Sequence, residues 1–538
     1  MGIILLVIAI SVFLIAYKVY GDFLSKALEV NDNNSTPSHE MEDGLDYVPA
    51  KKPILFGHHF ASIAGVGPIV GPVLAVAFGW TPVYIWILVG AVFLGGVHDY
   101  ASMVASIRHK GKTIGAIIEN YLGLSGKNLF LIFTWATLLL VIAVFGIIIA
   151  DTFVSIPSAG TSSILFIIAA IIFGVLLNKY KLPLWIATIL GIVLLILSVS
   201  LGQMYPLTFG KEVWIIILFV YVFIASVLPV WMLLQPRDYL NSFFLYAILF
   251  GGVIGILFSN PSLSIPKFTS FYIEKLGLLF PVLFITVACG AISGFHSIVS
   301  SGTTSKQLDK ESDAKFIGYG GMLLEGILAV IAMLSVSTLS MDNYLKLLEK
   351  EGPVSAFSTG VANFIGNIPL VNIEFDSAKS FIALGVAAFA LTTLDTSTRL
   401  ARYSFQEYFE RSNQKEQNLL AKNRYIGTTI TVILAALLTF SGQTTTLWPV
   451  FGSANQLLAA LALLVITVWM AASKKNSIFS LIPTVFMFLV TLTALALLTY
   501  NNIFIHQNIT LALISLMLFV LAILLWKEAY KVLSISKD

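Results

Sequence analysis

Charge is what this sequence has little of. Only 11% of its 538 residues are Asp, Glu, Lys or Arg, and 58% are hydrophobic, against roughly 25% charged residues in an average soluble domain. Such a chain cannot cover a water-facing surface, so its solvent is lipid and no soluble domain is left over. Cysteine is nearly absent. The lone Cys289, inside an apolar run, excludes a disulfide framework and a cysteine metal cluster and reads as a packing residue. A strong basic excess is missing too: a formal net charge of +3 gives no footprint for nucleic acid. No HExxH or GxSxG pattern occurs, so the sequence offers no ground for a metalloprotease or serine hydrolase, and the chain reads as a non-enzyme.

Apolar length is what the sequence does have. A membrane-crossing helix needs about 20 predominantly apolar residues, and fifteen such segments lie near 3–20, 54–79, 82–107, 129–150, 162–178, 183–202, 213–234, 240–258, 277–300, 316–340, 379–399, 425–441, 446–472, 478–499 and 508–527. The expected fold is an all-α integral membrane protein with about fifteen transmembrane helices. The opening MGIILLVIAISVFLIAYKVYG lacks a basic start and a small-residue cleavage site, so it reads as a retained helix and not a signal peptide. Alternate loops separate by charge. One set carries Arg108, Lys110, Lys112, Lys179, Lys181, Lys306, Arg411, Lys415 and further lysines and arginines, the other only Lys211, Lys267, Lys275, Lys346, Lys350 and Lys379. Basic loops stay on the cytoplasmic side, which places the N-terminus outside and the C-terminus inside an inner membrane. The acidic stretch 22–52, with NDNNSTPSHEMEDG at its centre, reads as a cytoplasmic linker that sets a peripheral helix, 1–21, apart from the rest. Between Asp342 and Ser377, FSTGVANFIGNIPL reads either as a short helix over the outer mouth or as a plain surface loop.

The second segment contains Gly65-Val-Gly67-Pro68-Ile-Val-Gly71-Pro72 near its middle, where prolines remove backbone donors and glycines weaken helix propensity. Unwound backbone at membrane depth must be buried in protein or line a polar cavity, so Gly65, Gly67, Pro68 and Gly71 are candidate substrate contacts. A close helix crossing that uses the same glycines is the alternative. Five helices later, Pro229 and Pro236 suggest a second interruption in the seventh segment. Two five-helix units of opposite orientation follow, 53–202 and 203–402, with a four-helix segment at 403–538, the pattern of an inverted-repeat (5+5) transporter core.

Ionisable groups inside the spans are few, and each is costly unless paired or facing water. His58, His59, His98 and Asp99 fall at similar depth in a hairpin of the second and third segments. They read as a proton relay, as helix-end caps, or as a metal site, although the spacing fits no metal motif. His296 lies in a hydroxyl-rich stretch whose Ser297, Ser300, Ser301 and Thr304 are oxygen ligands of the type sodium takes, or simply bond to their own helix. Glu325 is an isolated carboxylate and a candidate proton carrier. Asp395 and Arg399, at i and i+4, are spaced for a helix-face ion pair. Arg237 reads as a receiver for a substrate carboxylate or an interface anchor. Asn455 and Gln456 each need a hydrogen-bond partner, in another helix or in substrate.

FGHHFASIAGVGPIVGP, WMLLQPRDYL, ISGFHSIVSSGTTSK, LTTLDTSTRLARY and LWPVFGSANQLLAAL, in this order from the second helix to the thirteenth, resemble signature segments of the carbon starvation protein A family. The chain departs from the family pattern at Ser305, where proline follows SGTT, and at His98, where some members carry glutamine. The resemblance implies an inner-membrane transporter with a LeuT-like core that takes up peptides or pyruvate when carbon is scarce. On this reading substrate meets the broken segment, with Arg237, Asn455 and Gln456 as further contacts. His58, His59, Asp99, Glu325 and His296 carry a coupling proton, or sodium takes the serine-rich helix. No cofactor beyond the coupling ion is expected, and the rivals are a metal-dependent intramembrane enzyme and a nutrient sensor.

Overall fold

Hydrocarbon offers backbone groups no water, so apolar runs of this length close their hydrogen bonds internally as helices. The computed structural model describes residues 1–43, 47–228, 232–274, 276–369, 373–409, 419–441, 444–505 and 507–535. In chain order the principal helices are α1 (Gly2–Ala27), α2 (Lys52–Ile63), α3 (Gly67–Ala75), α4 (Trp80–Arg108), α5 (Ile114–Ser155), α6 (Pro157–Asn178) and α7 (Leu184–Met204). They continue with α8 (Lys211–Val227), α9 (Leu234–Ser259), α10 (Leu279–Thr286), α11 (Gly294–Gly302) and α12 (Lys315–Ser337). The last six are α13 (Met341–Gly366), α14 (Phe375–Phe409), α15 (Arg424–Ser441), α16 (Thr444–Ala472), α17 (Ile478–Phe504) and α18 (Ile509–Ile535). A two-stranded ribbon, Tyr272–Ile273 with Gly277–Leu278, precedes α10.

Among the described residues twelve helices are long and apolar enough to cross a membrane, thirteen if the bent pair α2 and α3 counts as one span. Fifteen were expected, and the difference has physical causes. The expected ninth span, 277–300, is not continuous but splits into α10 and α11, and α8 has only 17 residues. The first interruption lies where the prolines and glycines put it: α2 ends at Ile63, α3 restarts with Pro68 in its first turn, and the two halves bend by 44°. A second interruption lies in the ninth segment, while the one expected in the seventh centres on Pro229. Pro229 falls outside the described residues, as do Lys275, Arg411 and Lys415.

The first helix is not set apart by its linker. Its Leu5, Leu6, Ala9 and Phe13 face inward against α12 while Ile4, Leu14 and Ile15 stay exposed to lipid, and it runs on to Ala27, six residues into the expected linker. The segment after α12 is neither a mouth cover nor a surface loop. Beyond a turn at Gly352 it forms a buried half-helix in which Val354, Phe357 and Val361 pack against α14 and α9. The two interruptions meet at the centre of this packing. A methyl added at Gly71 would lie 2.5 Å from the Thr286 carbonyl oxygen and 3.2 Å from Val287 Cα, so only glycine lets the two backbones touch here. Gly71→Ala is therefore expected to cost about 1–3 kcal/mol through overpacking. A lowered thermal unfolding midpoint of the detergent-solubilised protein checks this, and an unchanged midpoint contradicts the contact.

Candidate functional site

Where a helix stops inside the membrane, its last carbonyls and first N–H groups lose their partners. At the second interruption, side chains from other helices supply them. The Phe295 N–H, in the first turn of α11, donates to Asn455 Oδ1 at 3.0 Å, and Asn455 Nδ2 donates to Ser293 Oγ at 3.1 Å. This is an N-cap delivered from α16, since Ser293 makes no cap of its own. On the other side of the gap, Gln456 Nε2 donates to the Phe284 carbonyl. Trp448 Nε1 donates to Thr286 O at 3.3 Å, and Trp86 Nε1 to Val287 O at 3.0 Å. Asn455 and Gln456 thus hold α10 and α11 apart in a fixed register, and of the two only Asn455 also faces open space.

That space is a small cavity between the two interruptions, with about 10 Å³ of room for a water-sized molecule. Gly65 and Gly67 border it from the first break, Cys289, Ser293 and His296 from the second, and Asn455 from α16. Val141 and Phe145 of α5, Thr393 of α14, and Phe451 complete an otherwise apolar wall. Pro68 and Gly71, expected as contacts, pack beside the cavity without lining it. The packing thiol is itself a lining group: Cys289 Sγ sits 3.6 Å from Ser293 Oγ.

His296 links the cavity to a row of buried ionisable groups. His98 Nδ1 lies 2.7 Å from Asp99 Oδ1, and His296 Nδ1 lies 2.9 Å from Asp99 Oδ2. An ionised carboxylate has no proton, so both ring N–H groups donate to it. The other His296 nitrogen, Nε2, is 3.5 Å from Glu325 Oε2, within ion-pair range but without hydrogen-bond alignment, and neither Glu325 oxygen has another partner. All four side chains are shielded from solvent. A single proton between His296 and Glu325 therefore has two places to sit, giving imidazolium with carboxylate or imidazole with carboxylic acid. Each carboxylate-bearing helix has a π turn just before its acid, at Ala91–Gly95 ahead of Asp99 and at Lys315–Tyr319 ahead of Glu325. Such turns displace the following side chains from the regular helical register.

Other expected residues are placed differently. His59 bonds through Nδ1 to Thr304 Oγ1 at 2.8 Å, whereas His58 is half-buried and hydrogen-bonds to no member of the row. Among the described residues no three His, Cys, Asp or Glu side chains converge as metal ligands, so the alternative site of His58, His59, His98 and Asp99 is not formed. Three of the four hydroxyls of the sodium alternative are hydrogen-bonded within the protein. Ser297 and Ser301 donate to the carbonyls of Gly294 and Ser297 in their own helix, at 2.7 and 2.6 Å, Thr304 is taken by His59, and the buried Ser300 Oγ has no partner.

Asp395 does not pair with Arg399. Its partner is Arg237, 158 positions away, helped by Tyr221, whose hydroxyl donates to Asp395 Oδ2 at 2.8 Å. Arg237 also reaches Asp238 at 3.2 Å and takes no part in the cavity wall. Arg399 instead donates to the last carbonyls of α8, Ala225 O at 3.0 Å and Leu228 O at 2.8 Å. A guanidinium at that negative helix end gains more than one stacked along its own helix. Sequence reasoning had also missed Thr393, Phe145 and Phe451 as lining groups. For Thr393 the hydroxyl run LTTLDTST was a signal, whereas the two phenylalanines are indistinguishable from core.

Facing helix breaks around a shielded polar centre are the build of a membrane transporter, and likenesses to solved structures agree at the level of fold. An Eremococcus coleocola manganese transporter superposes with a TM-score of 0.50 at 14% identity, covering 91% of this chain and 99% of that one. MhsT in complex with L-phenylalanine superposes with a TM-score of 0.50 at 13% identity, covering 88% and 99%. Both have the LeuT fold. The family model "Carbon starvation protein CstA" matches residues 1–348 and 345–494, and the chain belongs to that family. Relatives include the peptide transporter CstA of Campylobacter jejuni, 32% identical over 91% of this chain and 79% of its own length. The pyruvate/proton symporter BtsT of Escherichia coli K12 is 30% identical over 93% and 82%.

Because Arg237 is buried, Asp395→Asn is expected to cost about 3 kcal/mol by removing its closest counter-charge and leaving it only Asp238. Arg399→Gln, which leaves both members of the pair in place, is expected to cost clearly less. Thermal unfolding of the two purified variants compares them, and equal losses would contradict the pairing.

Proposed function

We propose that this chain is a secondary transporter that imports a small carboxylate-bearing nutrient, peptide or pyruvate, across the inner membrane by alternating access, coupled to protons. Substrate binds between the breaks at Ala64–Val66 and Val287–Ser293, with the N-terminus lying outside and the C-terminus in the cytoplasm. Six helices separate the two interrupted ones, two more than the 5+5 spacing places between its paired helices, and in this topology the odd step still leaves them running in opposite directions. The observation that carries the reading is His296, which borders the cavity and reaches both Asp99 and Glu325. Among the cavity's lining residues it is the only group able to carry positive charge near neutral pH.

The cycle follows from that placement. A proton arriving from outside settles on the His296–Glu325 pair, with Asp99 fixing the opposite ring nitrogen so that only Nε2 exchanges. Protonated His296 then presents a cation, beside the N-terminal end of α11, to a substrate carboxylate. Binding lowers the charge of both, and the neutralised complex crosses with less desolvation cost than either ion alone. Substrate release inside removes the carboxylate that had favoured the protonated ring, so the proton follows. The family relatives named as a peptide transporter and a pyruvate/proton symporter support this substrate range and coupling. Sodium coupling has less support, because Ser297 and Ser301 donate to carbonyls of their own helix and Thr304 is bonded to His59, which leaves Ser300 alone without a partner.

The driving force separates the two substrates. A proton moving with pyruvate carries no net charge and follows the pH gradient alone, whereas a proton with a zwitterionic dipeptide also gains about 2.3 kcal/mol per 100 mV. In proteoliposomes, Glu325→Gln is expected to abolish accumulation of labelled pyruvate or dipeptide under an imposed proton gradient, lowering it on the order of a hundredfold, while exchange of labelled for unlabelled substrate persists. Undiminished accumulation by Glu325→Gln would overturn the assignment, and accumulation that needs sodium would move the coupling away from the histidine row.

A further inference from the structure

In the segment joining α1 to α2, residues 31–39 and Ala50 are bound to a single loop, residues 303–314, which connects α11 to α12. The carboxylate of Asp32 accepts from the Ser312 backbone N–H and hydroxyl, both at 2.8 Å. His39 pairs with Asp309 at 2.9 Å, Ser38 Oγ donates to Leu308 O at 2.6 Å, and Ala50 N donates to Gln307 O at 2.9 Å. The centre of the contact is Glu311, fully buried, whose Oε2 accepts from Asn31 N at 2.7 Å and from Arg108 at 3.1 Å. Arg108 closes α4, and Lys475, just past the end of α16, holds Glu29 at 2.6 Å. The hydrogen bond and charge of Lys475 keep the Glu29 carboxyl below its usual range.

These ties converge on the ends of the helices that form the candidate site. Asp99 is on α4, His296 on α11, Glu325 on α12 and Asn455 on α16, and the joining segment fastens all four at one side of the membrane. A hydrophobic pack would resist separation by area. Leu28 and Leu308 bury a little apolar area here, but most of the ties are polar and local, and Glu311 Oε1 has no hydrogen-bond partner. A polar contact with an unfilled buried acceptor is cheaply exchanged for water, which suits a joint that opens and closes.

We propose that residues 28–43 form a latch which holds the α11–α12 loop against α4 in the closed state and must release before the cavity opens to that side, the cytoplasmic side in the orientation above. The inference rests on the alternating-access reading. The latch gives the polar linker a task in the cycle: it locks the exit while substrate enters from outside, and its release lets α11 swing and carry His296 away from Asp99.

A reversible lock tests it. In the full-length protein, Asp32→Cys with Ser312→Cys places two thiols at an exposed contact, and copper phenanthroline closes them into a disulfide that dithiothreitol reopens. The oxidised form is expected to bind labelled pyruvate but to import it on the order of tenfold more slowly, with reduction restoring the rate. Equal import by oxidised and reduced protein would overturn the latch and leave the transport reading standing. Failure of the unsubstituted protein to move pyruvate or dipeptide would overturn the transport reading and the latch together. A single substitution gives an independent measure. Glu311→Gln weakens the Arg108 and Asn31 contacts and is expected to raise the rate at which a small maleimide reaches Cys289 from the latch side, and an unaltered rate would also overturn the proposal.

Discussion

Backbone hydrogen bonding at membrane depth is the constraint on which the rest of this structure depends. Two helices stop short of crossing, and each stop frees N–H and carbonyl groups that lipid cannot satisfy. At the second break the answers come from Asn455, Gln456, Trp448 and Trp86, each bonding to a main-chain group of residues 284–295. These bonds fix the shape of the gap, and the gap is the cavity. Gly67 and Gly71 then bring the first break close enough for two unwound segments to share one centre.

Charge is handled in two different ways around that centre. The Arg237–Asp395 pair is buried and its charges offset each other, Tyr221 bonds to both members, and neither faces the cavity. It ties the start of α9 to α14 and works as structure. In the row from His98 to Glu325, Asp99 is fully engaged, while Glu325 has only a long approach to His296 and His98 Nε2 has no partner. A satisfied carboxylate beside an unsatisfied one is the arrangement in which a proton moves without the scaffold coming apart.

The legibility of the sequence follows the range of each interaction. The first break was readable because proline and glycine disrupt a helix by their own chemistry, wherever they sit. The second was not, since TVACGAISG has no proline and is mostly small residues that also occur within membrane helices; there the helix yields to partners on α16 and α4, which are distant in sequence. Asp395 makes the same point. Spacing of four suggested Arg399, but the fold offers Arg399 the carbonyl end of α8 and brings Arg237 to Asp395 instead. His296 and Glu325 stood out separately as ionisable groups in apolar runs, while their meeting across Asp99 depends on how α4, α11 and α12 pack. The polar linker, read from composition as a spacer, turned out to be bound, because composition reports solvation and not partners.

The central claim is that substrate occupies the space between the two breaks, and the sole cysteine of the chain lies on its wall. The most direct measurement is the rate at which a small, membrane-permeant maleimide modifies Cys289 in the otherwise unaltered protein, with and without saturating pyruvate or dipeptide. Substrate in the cavity predicts slowed labelling, with half-protection at the concentration that half-saturates uptake. Labelling that proceeds at one rate whatever substrate is added, in protein shown to transport it, would place the binding site elsewhere and contradict the account.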